Sequence, residues 1–541
     1  MRKLRITILD LVTKGPTKRL FNRVMNANLA SIMPQVIGVW CEELGHDVRF
    51  VCYTGVEDLV GDVLHDTDVL FIGAFTRSAQ TAYAISNLSR RSGAVTVLGG
   101  PHARCYPQDA AKYFDYVLGF TDKTTISDLL SDATPQRPLG VQLSARRQPT
   151  ELPSLQERWK FIAPTLAKAS FLQIVPMVGS MGCPYTCSFC IDSVVPYQPL
   201  PFDQIRNDLR FLQTKVKRPR VGWHDPNFGV RFDDYMNTIE EVVPPGRMRF
   251  VAESSLSILT EPHVKRLQRN GFDALLPGIE SWYDLGNKSK TGSNVGAEKV
   301  RQVADHVNMI LRHVPYVQTN FVLGLDCDEG SEPFELTKKF VDLAPGAYPA
   351  FSLLTSYGQA APLNLELQRA GRVLPFPFHF LDSNHAMNVR PLNYGWREFY
   401  DHAVDLTRYA LSGSRVAKRL WANRGIGTKA LNALRATTSN RATYQAKIRR
   451  LLDEDVQVRQ FIEGQSPELP KFYSNRIRKS LGSLWDALPE GALMHDQNAY
   501  LNSQGATAAV VPLPRRPRAS GSPAAKAAPS VVAIGKVQAG E

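Results

Sequence analysis

Three cysteines stand within eight residues, in the run Gly182-Cys183-Pro184-Tyr185-Thr186-Cys187-Ser188-Phe189-Cys190. Thiolates are soft ligands, so the first question is what three of them at this spacing can hold. A structural zinc site takes four protein ligands, usually as two close pairs. No second pair follows, and the next cysteine, Cys327, is over a hundred residues downstream. An iron–sulfur cluster is held by three cysteines when something else fills the fourth iron's position, and an open iron is a place for a substrate or cofactor to bind. The other cysteines, Cys41, Cys52, Cys105 and Cys327, fall at or beside apolar runs where buried thiols are common, and seven in a chain of 541 residues make no disulfide framework.

Further polar groups stand where later apolar runs end: Asp225-Pro226-Asn227-Phe228, then Glu253 and Ser255, then Gly278-Ile279-Glu280-Ser281. Singly, each reads as a helix cap or a solvent-facing charge. The runs they close predict strands near Leu172–Val178, Arg220–His224, Arg249–Glu253, Ala274–Ile279, Tyr316–Leu323 and Ala350–Leu354, separated by helical patterns such as those around Ala297–Arg312 and Pro333–Leu343. Six strand–helix units suggest an open or partial barrel with its active site at the strands' C-terminal ends.

Upstream, Leu4–Leu9, Val48–Tyr53, Val69–Ile72, Val95–Leu98 and Tyr116–Leu118 have strand length, and Leu29, Ile32, Val36, Trp40 and Leu44 recur at helical spacing before Gly45. The alternation predicts a doubly wound parallel sheet, which takes its ligands at the carboxyl ends of its strands. At that edge Gly99-Gly100-Pro101-His102-Ala103 allows close approach of backbone to a ligand; taken alone it is a tight turn.

The expected fold class is therefore α/β. A doubly wound domain spans 1–131, a linker 132–165, a partial (β/α)6 barrel 166–365, a mainly helical region 366–490 and a disordered tail 505–541. The net charge of +13 would suit an acidic partner, but its late concentration, as in Arg415, Lys418, Arg419, Lys447, Arg449 and Arg450, reads as solvated helix faces, and no nucleic-acid partner is expected. No apolar run approaches the ~20 residues of a membrane span and the N-terminus does not read as a secretory signal, so a cytoplasmic protein is expected.

The CxxxCxxC spacing, with aromatic Phe189 before the last cysteine, resembles the signature of the radical S-adenosylmethionine (SAM) superfamily. The resemblance implies a [4Fe-4S] cluster on Cys183, Cys187 and Cys190. It also implies SAM bound by Phe189, Asp225, Glu253, Ser255, Gly278, Ile279 and Glu280. The chain departs from the common pattern at Gly324-Leu325-Asp326-Cys327 and at Ser356-Tyr357-Gly358-Gln359, after the fifth and sixth strands.

With its doubly wound N-terminal domain the chain is similar to the cobalamin-binding class of that superfamily. This implies a flavodoxin-like domain receiving cobalamin at Gly73, Gly99, Gly100, Pro101 and His102. No Asp-x-His-x-x-Gly follows the first strand, so cobalt would be bound without a histidine from this domain. Gly119-Phe120-Thr121-Asp122 departs from the Gly-Glu-Gly-Glu usual after the fifth strand, and a domain that keeps the fold without the corrin is the alternative.

The reaction so implied is reductive cleavage of SAM, hydrogen abstraction from an unactivated carbon of a small-molecule substrate, and methylation from cobalamin. The electron donor would be of low potential, such as flavodoxin or ferredoxin. On the same scaffold the rival is a radical cyclase or rearrangement enzyme, like the anaerobic cyclase of bacteriochlorophyll synthesis. A non-catalytic iron–sulfur or corrin-binding sensor or carrier is the rival from another class, and it has no need of an adenosyl pocket.

Overall fold

A computed structural model describes residues 2–16, 30–59, 61, 66–169, 173–283, 294–499 and 501. Of the sequence expectations, Leu29, Leu172 and the tail from 505 lie outside the described residues.

The first sheet is parallel throughout, in the order β2-β1-β3-β4-β5-β6. Its strands are β1 (Arg5–Leu11), β2 (Asp47–Tyr53), β3 (Val69–Ala74), β4 (Val95–Gly99), β5 (Tyr116–Leu118) and β6 (Val141–Leu143). Successive side chains of a strand point to opposite faces. Accordingly Ile6, Ile8 and Phe71 meet Val36 and Trp40 of the helix Ile32–Glu43 on one side, while Leu9, Leu70 and Ile72 join Ala82 and Tyr83 of the helix Ala79–Arg91 on the other. Both faces are dry, which is why these strands read as continuous apolar runs.

The segment expected to be a linker is not one. It supplies β6, which extends the sheet beside β5, and the helix Leu155–Lys168, whose start carries a capping box between Ser154 and Glu157. That helix lies so close over Ile32–Glu43 that a Cβ at Gly38 would come within 2.9 Å of Phe161. The prolines and polar residues at 132–150 hid a short edge strand of only three residues.

The second sheet has the order β13-β14-β12-β11-β10-β7, with β15 beside β14. It comprises β7 (Ile174–Met177), β10 (Arg220–Trp223), β11 (Arg249–Ala252), β12 (Phe272–Leu275), β13 (Gly278–Glu280), β14 (Tyr316–Leu323) and β15 (Tyr348–Leu353), all paired in parallel. One expected strand, Ala274–Ile279, is split into β12 and β13 around Pro277. A two-stranded antiparallel ribbon, β8 (Ser180–Met181) with β9 (Gln198–Pro199), follows β7. Helices from Trp396–Ala410 to Lys471–Leu481 complete the described chain. Except for Gly413–Ala422 and Ile426–Thr438, whose buried side chains are Arg419 and Asn432, their buried faces share one continuous core with the barrel and with the Ala79–Arg91 side of the first sheet. No helix among the described residues is long and apolar enough to cross a membrane.

Candidate functional site

The cysteine loop leaves the top of β7 and is drawn shut by the β8–β9 ribbon. Gly182 is at the crossing, with φ 68°. A Cβ there would lie 2.3 Å from the Pro196 carbonyl oxygen, so only glycine lets the two limbs approach. Within the loop, Cys183 N–H donates to Val195 O at 3.4 Å and Cys190 N–H to Cys187 O at 3.0 Å, and Asp192 N–H donates to Cys190 Sγ at 3.4 Å. Cys183 and Cys187 are buried and Cys190 is half-buried. Among the described residues, no three His, Cys, Asp or Glu side chains are gathered closely enough to hold one metal ion.

Asp225, at the end of β10, is only 2% exposed. Its carboxylate accepts from Gly179 N–H at 3.1 Å and Ser180 Oγ at 2.7 Å, and from the Tyr235 hydroxyl. Burial pushes its carboxyl up from the usual range, and the Tyr235 and Ser180 hydroxyls act the other way. In this structure Asp225 latches the base of the cysteine loop, through Gly179 and Ser180, to Tyr235 of the helix Phe232–Val242. The end of β11 is tied to the same loop through hydroxyls. Ser255 N–H donates to Asn227 Oδ1 at 2.8 Å, Ser255 Oγ and Ser257 Oγ are 2.9 Å apart, and Ser257 Oγ is 2.8 Å from Tyr185 OH.

Glu253 is exposed and Phe189 half-exposed, while Ile279 is buried beside Gly278. Glu280 has φ 65°, a left-handed conformation that costs a non-glycine residue about 1–3 kcal/mol. Its carboxylate folds back over Gly278, where a Cβ would meet Oε1 at 2.1 Å.

A cavity of about 500 Å³ separates these strand ends from the carboxyl edge of the first sheet. Gly73, Gly99, Gly100 and Pro101 line it from one side, and Ser180, Gly182, Asp192 and His224 from the other. Gly100 has φ 89°, and a Cβ there would sit 3.0 Å from Ala74 O. A Cβ on Gly99, by contrast, would meet nothing within 4 Å.

Arg104, one turn past this loop, spans the gap: its guanidinium donates to Asp192 Oδ1 at 3.2 Å and Ile191 O at 2.7 Å, and lies 5.0 Å over the Phe120 ring. Sequence reasoning missed Arg104, Tyr235 and His224, since nothing local marks an arginine that reaches another domain. His224 opens onto the cavity with its ring exposed there, and the surrounding protein lowers its imidazole from the usual value by desolvation.

The side chain of His102 does not join the cavity. It is fully buried against Tyr106 and Phe378, its Nε2 lies 2.7 Å from Tyr83 OH, and burial pushes it down to about 3. After β15, Gly358 takes φ 58° where a Cβ would strike Cys105 O at 2.0 Å, and Tyr106 OH donates to Ser356 O at 3.2 Å. The departure from the common pattern at this loop therefore lies at the contact between the two sheets' domains.

Residues 177–329 match the Radical SAM superfamily. The chain is 24% identical over 421 residues to bacteriochlorophyllide d C-12(1)-methyltransferase of Chlorobaculum tepidum, covering 76% of this chain and 86% of that one. It is 26% identical over 358 residues to hopanoid C-2 methylase of Rhodopseudomonas palustris, covering 63% and 64%. Among solved structures, the cobalamin-dependent S-adenosylmethionine radical enzyme OxsB with aqua-cobalamin bound aligns with a TM-score of 0.52 at 11% identity, over 93% of this chain and 84% of that one. At that identity the likeness is one of fold.

Proposed function

From the premise that this chain is a radical SAM enzyme, its superfamily domain lying over residues 177–329, we propose that it methylates an unactivated carbon of a small molecule, with cobalamin as methyl carrier. The observation that carries this is the single cavity lined by both sheet edges, with the Gly99–Pro101 loop on one side and the cysteine loop on the other.

The residues fit the groups. Cys183, Cys187 and Cys190 lie on one loop without converging on a single ion, and a four-iron cluster asks each thiolate to bind a different iron. Ser255, Gly278, Ile279, Glu280 and Glu253 stand at the strand ends around that loop and, with Phe189 of the loop itself, would receive SAM, while Asp225 would hold the loop beside them. Gly73, Gly99, Gly100 and Pro101 line the cavity at the first sheet's edge, with open space beside Gly99, where a broad flat ligand such as a corrin can lie. His224 of the barrel is the one histidine lining the cavity among the described residues, so the N-terminal domain offers cobalt no imidazole there.

When bound, the cluster with SAM supplies hydrogen abstraction and cobalamin supplies a transferable methyl group. The chain's own part is placement and dryness. Arg104 holds the two sheet edges in register, and apolar side chains such as Val12, Phe120 and Met181 keep water from the reacting atoms. The names of the two relatives, both methylating enzymes, support transfer of a methyl group over ring formation. The electron source would be a low-potential donor such as flavodoxin or ferredoxin, in the cytoplasm.

Turnover with SAM deuterated in its methyl group tests the reading. One 5′-deoxyadenosine and one S-adenosylhomocysteine per turnover, with label in a product heavier by a methylene unit, are expected. An unlabelled product without S-adenosylhomocysteine overturns methylation in favour of cyclisation or rearrangement.

A further inference from the structure

The helices Gly413–Ala422 and Ile426–Thr438 form a hairpin packed at the start of β14 and β15, away from the cavity. At its apex Trp421 is 90% and Ile426 88% exposed, the largest exposures among the large apolar side chains described. From Leu406 to Leu452 the chain contains eleven lysines and arginines and no aspartate or glutamate.

The six cations within the hairpin divide into two sets. Arg415, Arg419 and Arg435 turn inward: Arg415 pairs with Asp342, Arg419 Nε donates to Ala347 O at 2.9 Å, and Arg435 bonds Tyr316 OH. Lys418, Arg424 and Lys429 form no ion pair within 4 Å among the described residues, although Lys418 is near enough to Asp342 to help lower its carboxyl, and Lys418 and Arg424 are exposed. The turn between the helices is pinned, for buried Asn423 donates through Nδ2 to Gly346 O at 3.0 Å and Arg419 O at 2.8 Å. The apex therefore displays Trp421 and Ile426 on a fixed support, with the cations Lys418, Arg424 and Lys429 on the same hairpin.

We propose that this hairpin docks the protein on an anionic lipid surface, with Trp421 and Ile426 entering the headgroup region and Lys418, Arg424 and Lys429 meeting lipid phosphates. Tryptophan favours that region because its ring is apolar with one polar edge. Basic residues beside buried apolar ones bind anionic leaflets through both contributions together. A nucleic-acid duplex would use the cations but, with its bases stacked inside, would leave the isolated apolar tip without a role.

Sedimentation of the full-length holoprotein with vesicles tests it. Binding to equimolar phosphatidylcholine and phosphatidylglycerol is expected, weakening as salt rises, with little binding to phosphatidylcholine alone. The double variant Trp421→Ser and Ile426→Ser, and separately the triple variant Lys418→Gln, Arg424→Gln and Lys429→Gln, should each weaken binding at least about tenfold. Because all five side chains reach solvent, thermal melting should be unchanged, which separates docking from misfolding. Absence of binding, binding unaffected by the Trp421 and Ile426 changes, or self-association that those changes abolish would overturn the proposal. So would duplex DNA displacing the protein from vesicles with no dependence on Trp421.

Discussion

The two strand edges that face each other across the cavity are built on opposite principles. The first sheet's edge offers Gly73, Gly99 and Gly100, positions with no side chain at all, and its one nearby imidazole, His102, is turned into an aromatic cage behind it. The barrel's edge offers side chains already bonded to one another: Asp225 to Gly179, Ser180 and Tyr235, and Ser255 to Asn227 and Ser257. A large rigid ligand is received by leaving room and exposing backbone. A small polar one, chelated at a loop, requires that the loop be held still. One edge works by vacancy and the other by pre-organisation.

The comparison breaks most completely at the cysteines. Replacing Cys183, Cys187 and Cys190 together by alanine is expected to remove nearly all iron and sulfide, and with them SAM cleavage, while cobalamin binding persists. Elemental analysis and anaerobic absorption spectra measure both, and stoichiometric zinc without sulfide in the unaltered protein would refute the cluster.

The two adjacent glycines should behave differently. Gly99→Val adds its side chain where no atom lies within 4 Å, so hydroxocobalamin affinity should fall at least about tenfold with melting nearly unchanged. Gly100→Ala forces a Cβ against Ala74 at φ 89°, so it should also lower stability, by about 1–3 kcal/mol. Equal effects of the two on melting would remove the distinction.

At the barrel edge, Asp225→Asn keeps the shape but gives the latch a donor where an acceptor is needed. A loss of about 1–3 kcal/mol in denaturant stability is expected, together with slower cluster reconstitution and unaltered cobalamin binding. Reconstitution at the native rate would show that the latch does not hold the loop.

The smallest effect on chemistry is expected at His102. Its folded value is pushed down to about 3 by burial, below the ordinary value near 6.5. The unfolded chain thus binds the extra proton, and stability rises with pH between about 3 and 6.5, by up to about 1.4 kcal/mol per pH unit. His102→Gln should remove that part of the slope in denaturant titrations while changing hydroxocobalamin affinity less than about twofold, because the ring does not reach the cavity. A larger change in affinity would bring His102 back into the site.

Much of this architecture was legible in the chain. Apolar runs closed by polar residues located β7, β10, β11, β14 and β15, since strands buried on both faces must be apolar along their length. The cysteine spacing is a local property, and local geometry decides which iron–sulfur chemistry three thiols can serve. The Gly99-Gly100 turn was legible for the same reason, and Gly100 takes the positive φ that such a turn asks of glycine.

Tertiary structure alone decided where carboxylates and cations point. Asp225 stands at a strand end either way, but only the packing of Tyr235 and Ser180 against it turns its charge inward. Arg104 acquires a role only when Asp192, far along the chain, is brought within 3.2 Å. His102 sits in the motif that suggested a cofactor contact, yet Phe378 and Tyr83 enclose it from distant segments. The β6 strand was hidden because three residues at a sheet edge carry too little hydrophobic pattern to stand out, and their pairing energy comes from β5. Spacing along a chain specifies what a loop can bind; the direction of a long polar side chain is settled by partners the sequence does not place beside it.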